Sequence, residues 1–173
     1  NHMMIFPNAP YHTNSKIITN QQVDLDVRKL VGNAKGRSVV LASGSLTAKW
    51  AGISGIIEAS DNLPDECVLI LQSRQMINHY DIQHKSSKII TSINPLSVNQ
   101  YENLVCQSAI GLAWYASEDR NINFVGLSSG KIAHYLFCGK PIIVNRIPFW
   151  SDVIIECGCG VVVDDFDEIP AAV

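Results

Sequence analysis

Residues 128–144 read S-S-G-K-I-A-H-Y-L-F-C-G-K-P-I-I-V, and residues 154–163 read I-I-E-C-G-C-G-V-V-V. Each is a helical segment, a glycine turn and a short run of Val or Ile, repeated back to back. The first helix opens on Ser128-Ser129-Gly130-Lys131, turns at Gly139 and leads into a strand over Pro141–Val144. A helix N-terminus presents free N–H groups and the positive end of its dipole, a natural seat for phosphate. Lys131 gains nothing from that dipole, so a cation at this position points to a bound anion. Ser128 and Ser129 are also good helix caps. Gly139 and Gly160 are expected to hold turns at positive φ.

The same grammar runs outward to both ends. Continuous apolar runs at Ser38–Ser43, Cys67–Gln72, Lys88–Ser92, Ala109–Trp114, Pro141–Val144 and Gly160–Val163 predict six short strands. Between them, Lys49–Leu63 places Trp50, Ile53 and Ile57 at helical spacing. Ser97 with Gln100 forms a capping-box pattern ahead of Tyr101, Leu104 and Val105. A further helix is expected through Val153–Glu156, and another from Asp165 onward. Strands of unbroken Val, Ile and Leu are buried on both faces, and their alternation with helices predicts a parallel sheet with right-handed crossovers. Ligands of such sheets bind beyond the carboxyl ends of the strands. Those ends fall at Gly44–Thr47, Gln72–Arg74, Ser92–Asn94, Tyr115–Gly130 and Asn145–Pro148. The long connection after Tyr115, with Asp119, Arg120 and Asn123, is of the length that is usually functional.

The 173 residues suit one domain with a proper core. They are 47% apolar and 17% charged, as in a compact globular chain. A net charge of −3 argues against nucleic acid as the main partner. No apolar run approaches the length that spans a bilayer. Cysteines at 67, 106, 138, 157 and 159 include no C-x-x-C pair, which fits a reducing, cytoplasmic setting and no metal site. Residues 1–3 look like a cloning scar, and residues 4–37, with two prolines in Phe6–Pro10, read as a linker and lead-in to a domain over 38–173.

Taken together, these residues resemble the C-terminal, donor-binding half of a GT-B-fold glycosyltransferase. The class is the retaining group 1, glycogen-phosphorylase-like superfamily, which uses nucleotide sugars. Phe6-Pro7-Asn8-Ala9 resembles the interdomain linker, and Ala42-Ser43-Gly44-Ser45-Leu46 the first strand and phosphate loop. Ser92-Ile93-Asn94-Pro95-Leu96 resembles the loop beside the base pocket. Ser129-Gly130-Lys131-Ile132, Tyr135 and Gly139-Lys140-Pro141 form the most specific stretch, and Glu156 to Val161 the closing glycine turn.

The resemblance implies a Rossmann-like, doubly wound α/β domain with helices on both faces of its sheet. It implies a donor such as a UDP- or GDP-sugar and no separate cofactor. Its phosphates would meet Gly44, Ser45, Lys49, Ser128, Ser129, Gly130 and Lys131. Ile93 and Asn94 would meet the base through backbone groups, and His134 the ribose. The acceptor site would lie on an N-terminal domain absent here, so the isolated domain is expected to transfer nothing. Lipid-linked or polysaccharide acceptors would place the full protein at the inner membrane surface. The chain departs from the pattern at Ser45, where an arginine is common, and at Gln72-Ser73, where a glycine is usual. Lys49 stands one step off the usual spacing. His134 replaces the second of two glutamates usually found seven residues apart, and no carboxylate sits near Gly126. A degenerate domain that scaffolds a partner transferase, half of a sugar-nucleotide epimerase, and an unrelated doubly wound domain are the alternatives.

Overall fold

The computed structural model describes residues 25–74, 86–115, 125–148 and 150–173. Phe6–Ala9, Asp119, Arg120 and Asn123 lie outside the described residues, as does the lead-in through residue 24.

Helix α1 (Leu25–Gly32) precedes strand β1 (Ser38–Ser43), and α2 (Ile53–Ser60) joins it to β2 (Cys67–Gln72). Strand β3 (Ile89–Ser92) is followed by α3 (Val98–Gln107), β4 (Ile110–Ala113), α4 (Gly130–Phe137) and β5 (Ile142–Asn145). The last elements are α5 (Trp150–Cys157), β6 (Gly160–Val163) and α6 (Ile169–Ala172). The six strands form one sheet in the order β3-β2-β1-β4-β5-β6. Every pairing is parallel, from Ser38 opposite Cys67 to Asn145 opposite Val163. This is the doubly wound α/β arrangement that the sequence predicts, and the order reverses between β1 and β4.

Alternation along each strand divides the core. Val40, Ala42, Leu69, Leu71, Leu112 and Ile143 pack on one face with Ile56 and Ile57 of α2 and Ile169 of α6. Val39, Leu41, Val68, Ile70, Ala113 and Val144 pack on the other with Val27, Leu104, Ile132 and Ile154 of α1, α3, α4 and α5. Right-handed crossovers require this split, because connections that run in opposite directions from the reversal point leave their helices on opposite faces. β1 and β2 are buried almost throughout, whereas the edge strand β6 is not.

Two local expectations are revised. The single helix expected over Lys49–Leu63 is a 3-10 turn at Lys49–Ala51 and then α2, because Gly52 adopts a left-handed φ of 60° between them. The break sends Trp50 to the α4 side of the sheet, away from Ile53 and Ile57. Gly139 has the expected positive φ of 67°, but Gly160 does not; Gly158, at 60°, makes that turn. Gly160 is required for another reason: a Cβ there would lie 2.1 Å from the Ile142 carbonyl oxygen. Since that neighbour is backbone in the adjacent strand, Gly160→Ala should destabilise the domain by about 1–3 kcal/mol. A thermal melt would show this as a fall of ~2–4 °C per kcal/mol, and an unchanged melting point would contradict it.

Candidate functional site

A cleft of about 520 Å³ opens at the carboxyl ends of the strands, beside the reversal point. Ser43, Gly44 and Ser45 line it from the end of β1, and Gln72, Ser73 and Arg74 from the end of β2. Leu96, Ser97, Val98 and Tyr101 contribute from α3 and its lead-in, and Gly130, Lys131 and His134 from α4. Of the described side chains lining this cleft, the ones that carry or can take up charge are Arg74, Lys131 and His134, all basic. A basic cleft in a chain of net charge −3 concentrates anions locally.

Helix α4 divides its faces by spacing. Ile132 and Tyr135 are fully buried against the sheet. Lys131 and His134, also three apart, face the cleft together. Ser129 is the N-cap, accepting from the Ile132 N–H at 3.3 Å, and it is buried. Tyr135 needs room at the sheet, and Gly111 of β4 supplies it: a Cβ there would sit 2.3 Å from the Tyr135 ring.

The polar end of Tyr135 starts a directed chain of hydroxyls. Its O–H donates to the Leu41 carbonyl at 3.0 Å. Having spent its one proton, the Tyr135 oxygen accepts from Ser43 Oγ at 2.8 Å. Ser43 Oγ in turn accepts from the Tyr101 hydroxyl at 2.8 Å. One backbone carbonyl of β1 therefore orients three side chains and joins α3 and α4 to the end of β1. Burial raises the Tyr101 and Tyr135 phenols above their ordinary range, and they stay protonated donors.

His134 Nδ1 donates to the Gly130 carbonyl at 2.7 Å, which leaves Nε2 as the ring nitrogen that can meet a ligand. Nε2 is 3.9 Å from Oε1 of Glu102, a buried carboxylate on α3. The ring meets Tyr101 edge-on at 5.2 Å.

Lys131 lies against aromatic rings. Its Nζ is 4.5 Å from the Tyr115 ring centre and 5.7 Å from that of Trp50, and those rings stack at 5.6 Å and 12°. Tyr115 is itself clamped. Asn145 at the end of β5 accepts from the Tyr115 N–H at 2.8 Å and donates to its carbonyl at 2.6 Å. The Tyr115 hydroxyl is bonded to Ser129 Oγ at 2.5 Å. Loss of water around the amine lowers the Lys131 pKa to about 8.

Five of the predicted site residues meet in the cleft: Gly44, Ser45, Gly130, Lys131 and His134. The Gly44 N–H is already given to the Gln72 carbonyl at 3.0 Å, and no backbone partner of the Ser45 N–H is found among the described residues. Lys49 is exposed and does not line the cleft. Ser128 is exposed, with its hydroxyl donating to the Val125 carbonyl at 3.2 Å, and Ser129 is occupied as cap and as partner of Tyr115. Ile93 and Asn94 lie just outside the lining. The Asn94 carbonyl accepts from Gln72 Nε2 at 2.9 Å, and Gln72 Oε1 is buried without a partner among the described residues. Arg74 and Leu96 fall within the predicted segments Gln72–Arg74 and Ser92–Leu96 but were given no role of their own, and Tyr101 was not expected at the site. Tyr101 carried a signal, since a tyrosine on an apolar stripe needs a partner for its hydroxyl.

Among the described residues, no three His, Cys, Asp or Glu side chains converge as metal ligands. No helix among them is long and apolar enough to cross a membrane.

A parallel sheet in this order, with its cleft at the reversal point, defines a Rossmann-like, doubly wound α/β domain. Residues 65–173 match the glucosyltransferase 3-like, C-terminal domain family, and the chain belongs to it. Solved structures agree on the fold. WaaG, a glycosyltransferase involved in lipopolysaccharide biosynthesis, aligns over 98% of this chain and 45% of its own, at 16% identity and a TM-score of 0.67. A UDP-forming α,α-trehalose-phosphate synthase from Burkholderia xenovorans aligns over 86% of this chain and 38% of its own, at 12% identity and 0.64. Anabaena HepE, solved in complex with UDP, aligns over 89% and 42%, at 13% identity and 0.61. The chain spans less than half the length of each of these proteins. No curated protein sequence matches it significantly.

Ser43→Ala removes the middle of the hydroxyl chain and leaves the Tyr101 hydroxyl only Tyr135 of its two partners there. It should cost about 1–3 kcal/mol of stability. Tyr101→Phe should cost less, because Ser43 keeps Tyr135 as its acceptor. Urea unfolding of both variants gives the comparison, and equal losses would contradict the direction derived for the chain.

Proposed function

We propose that this domain binds the nucleotide-sugar donor of a glycosyltransferase, with the diphosphate lying in the cleft at the reversal point. One observation carries the reading: the charged side chains among the described residues lining that cleft, Arg74 and Lys131, are both cationic. The Ser45 N–H and the first turn of α4 add neutral donors that favour anions. HepE, of similar fold, was solved with UDP, which makes a uridine nucleotide the first ligand to try.

In this proposal Lys131 and Arg74 meet the diphosphate, and His134 meets the ribose or sugar hydroxyls through Nε2. The base extends toward Ile93 and Asn94, past the apolar wall of Leu96, Val98 and Tyr101. As the glycosidic bond breaks, negative charge grows on the leaving diphosphate. Fixed cations and N–H groups stabilise that charge without reorganising, so the proposal assigns no step to a metal. An N-terminal domain of the whole protein would bring the acceptor, and this domain alone would transfer no sugar. Catalysis, the acceptor and any contact of the whole protein with a cytoplasmic membrane surface belong to the same proposal.

A second reading has one observation in its favour. With the Gly44 N–H committed to Gln72, the phosphate loop offers less than its shape suggests. A domain of this fold that binds nucleotide to regulate or scaffold a partner transferase would tolerate that loss. Donor turnover by the full-length protein distinguishes the two.

Titration calorimetry with UDP, GDP, ADP and CMP tests the proposal. Saturable binding of one of them, weakened about tenfold by Arg74→Ala, is expected. No binding at millimolar concentration would overturn it. Affinity should also depend on pH. Lys131 must carry its proton to attract phosphate, so binding is full below a pKa of about 8 and falls as pH rises through it. A flat profile across that value would remove Lys131 from the site.

A further inference from the structure

An ammonium at the N-terminus of α4 is doubly disfavoured, by the helix dipole and by loss of water, and no carboxylate among the described residues pairs with it. Something must hold it there. The groups in contact are the faces of Tyr115 and Trp50, at 4.5 Å and 5.7 Å. Aromatic faces attract a cation without neutralising it, and the attraction strengthens as water is excluded.

Resting on the donor reading above, we propose that Trp50 and Tyr115 form an aromatic seat that positions the Lys131 ammonium for the donor's diphosphate. The seat lies outside the cleft, since neither ring lines it, while Lys131 does. Trp50 and Tyr115 are thus positioning residues that act through Lys131 and touch no substrate.

The geometry supports a built device. Tyr115 cannot drift, because Asn145 holds its backbone N–H and carbonyl together and Ser129 holds its hydroxyl. Ser129 caps the helix that carries Lys131, so the ring and the amine are referenced to the same point. Trp50 is delivered by the left-handed Gly52, which turns the chain between the 3-10 turn and α2. A carboxylate in this place would hold the lysine more tightly but would cancel the charge that a phosphate needs. The rings retain a net positive charge, and the lowered pKa follows from the same loss of water.

The titratable and charged groups around Lys131 are few. Tyr115 faces it from the end of β4, and His134 lies one turn along its own helix. Arg74, from the end of β2, and Tyr101, from α3, share the cleft. Glu102, also on α3, is directed at His134 Nε2.

The test is a pair of substitutions, Trp50→Leu and Trp50→Phe, read in two ways. NMR of ¹³C-methylated lysines follows the titration of Lys131 directly, and calorimetry with UDP and with inorganic pyrophosphate follows anion binding. In the wild type the Lys131 side-chain signals should lie upfield of every other lysine, from the ring currents, and titrate near pH 8. Trp50→Leu should move that titration below about 8, because leucine keeps the site apolar while the ring's attraction for the charged amine is lost. It should weaken both anions about tenfold at neutral pH. Trp50→Phe should restore most of both effects.

An unchanged Lys131 titration in Trp50→Leu overturns the seat, and so does a shifted titration with unchanged anion affinity. Should Trp50→Leu fail to fold, the absence of an upfield shift in the wild type overturns it equally. Failure of the donor reading looks different. Pyrophosphate would then bind and respond to the substitutions, while none of the nucleotides did better than pyrophosphate. If the wild type binds neither nucleotide nor pyrophosphate, Lys131 is held for no anion and the seat's role falls.

Discussion

A single backbone carbonyl, that of Leu41, sets the direction of the hydroxyl chain through Tyr135, Ser43 and Tyr101. The geometry of the cleft depends on this constraint. The strand end, α3 and α4 come from distant parts of the chain, and apolar packing alone would let the helices slide over the sheet. Hydrogen bonds of fixed direction do not allow sliding. Buried hydroxyls without partners would be costly, so the chain is strong as a specification even where each bond adds little net stability.

The cleft that results is unusual for its protein. The chain is acidic overall, yet the charged groups that the described residues bring to this cleft are all basic. Glu102, the nearby carboxylate, is buried on α3 beside His134 and is not part of the lining. With the helix start of α4, this makes one end of the sheet suited to an anion. Two of the departures from the family pattern find a physical context here. The arginine missing at Ser45 has no replacement in the loop itself, but Arg74 enters the same cleft from the neighbouring strand. The histidine in place of a glutamate, His134, is held by the Gly130 carbonyl through Nδ1, with Nε2 3.9 Å from Glu102 Oε1.

Much of the fold was legible because it rests on local rules. β1, β2 and β6 fall on the residues expected from their Val, Ile and Leu runs, and the remaining strands differ by a residue or two at the ends. The capping box at Ser97 and Gln100 is present with both of its hydrogen bonds. The failures were also local in origin. Trp50, Ile53 and Ile57 keep helical spacing, but the spacing does not reveal that Gly52 turns left-handed between them. Gly160 looked like a turn residue, yet its need for glycine comes from the Ile142 carbonyl in the next strand. Helix α1 fell in a segment read as lead-in, although Val27, Leu30 and Val31 stand at helical spacing and pack into one core cluster.

The sequence by itself determined the alternation of strand and helix, the helix start at Ser129-Gly130-Lys131 and hence the end of the sheet where a ligand would bind. Propensity, capping and period are properties of neighbouring residues, so they can be read along the chain. Only the tertiary structure decided which side chains share the cleft. Ser43 meets Tyr101 and Tyr135 across 58 and 92 residues, and Lys131 meets Trp50 only because the crossovers bring the ends of β1, β4 and α4 together. Strand order and crossover hand choose those neighbours, and neither is written in any local stretch of residues.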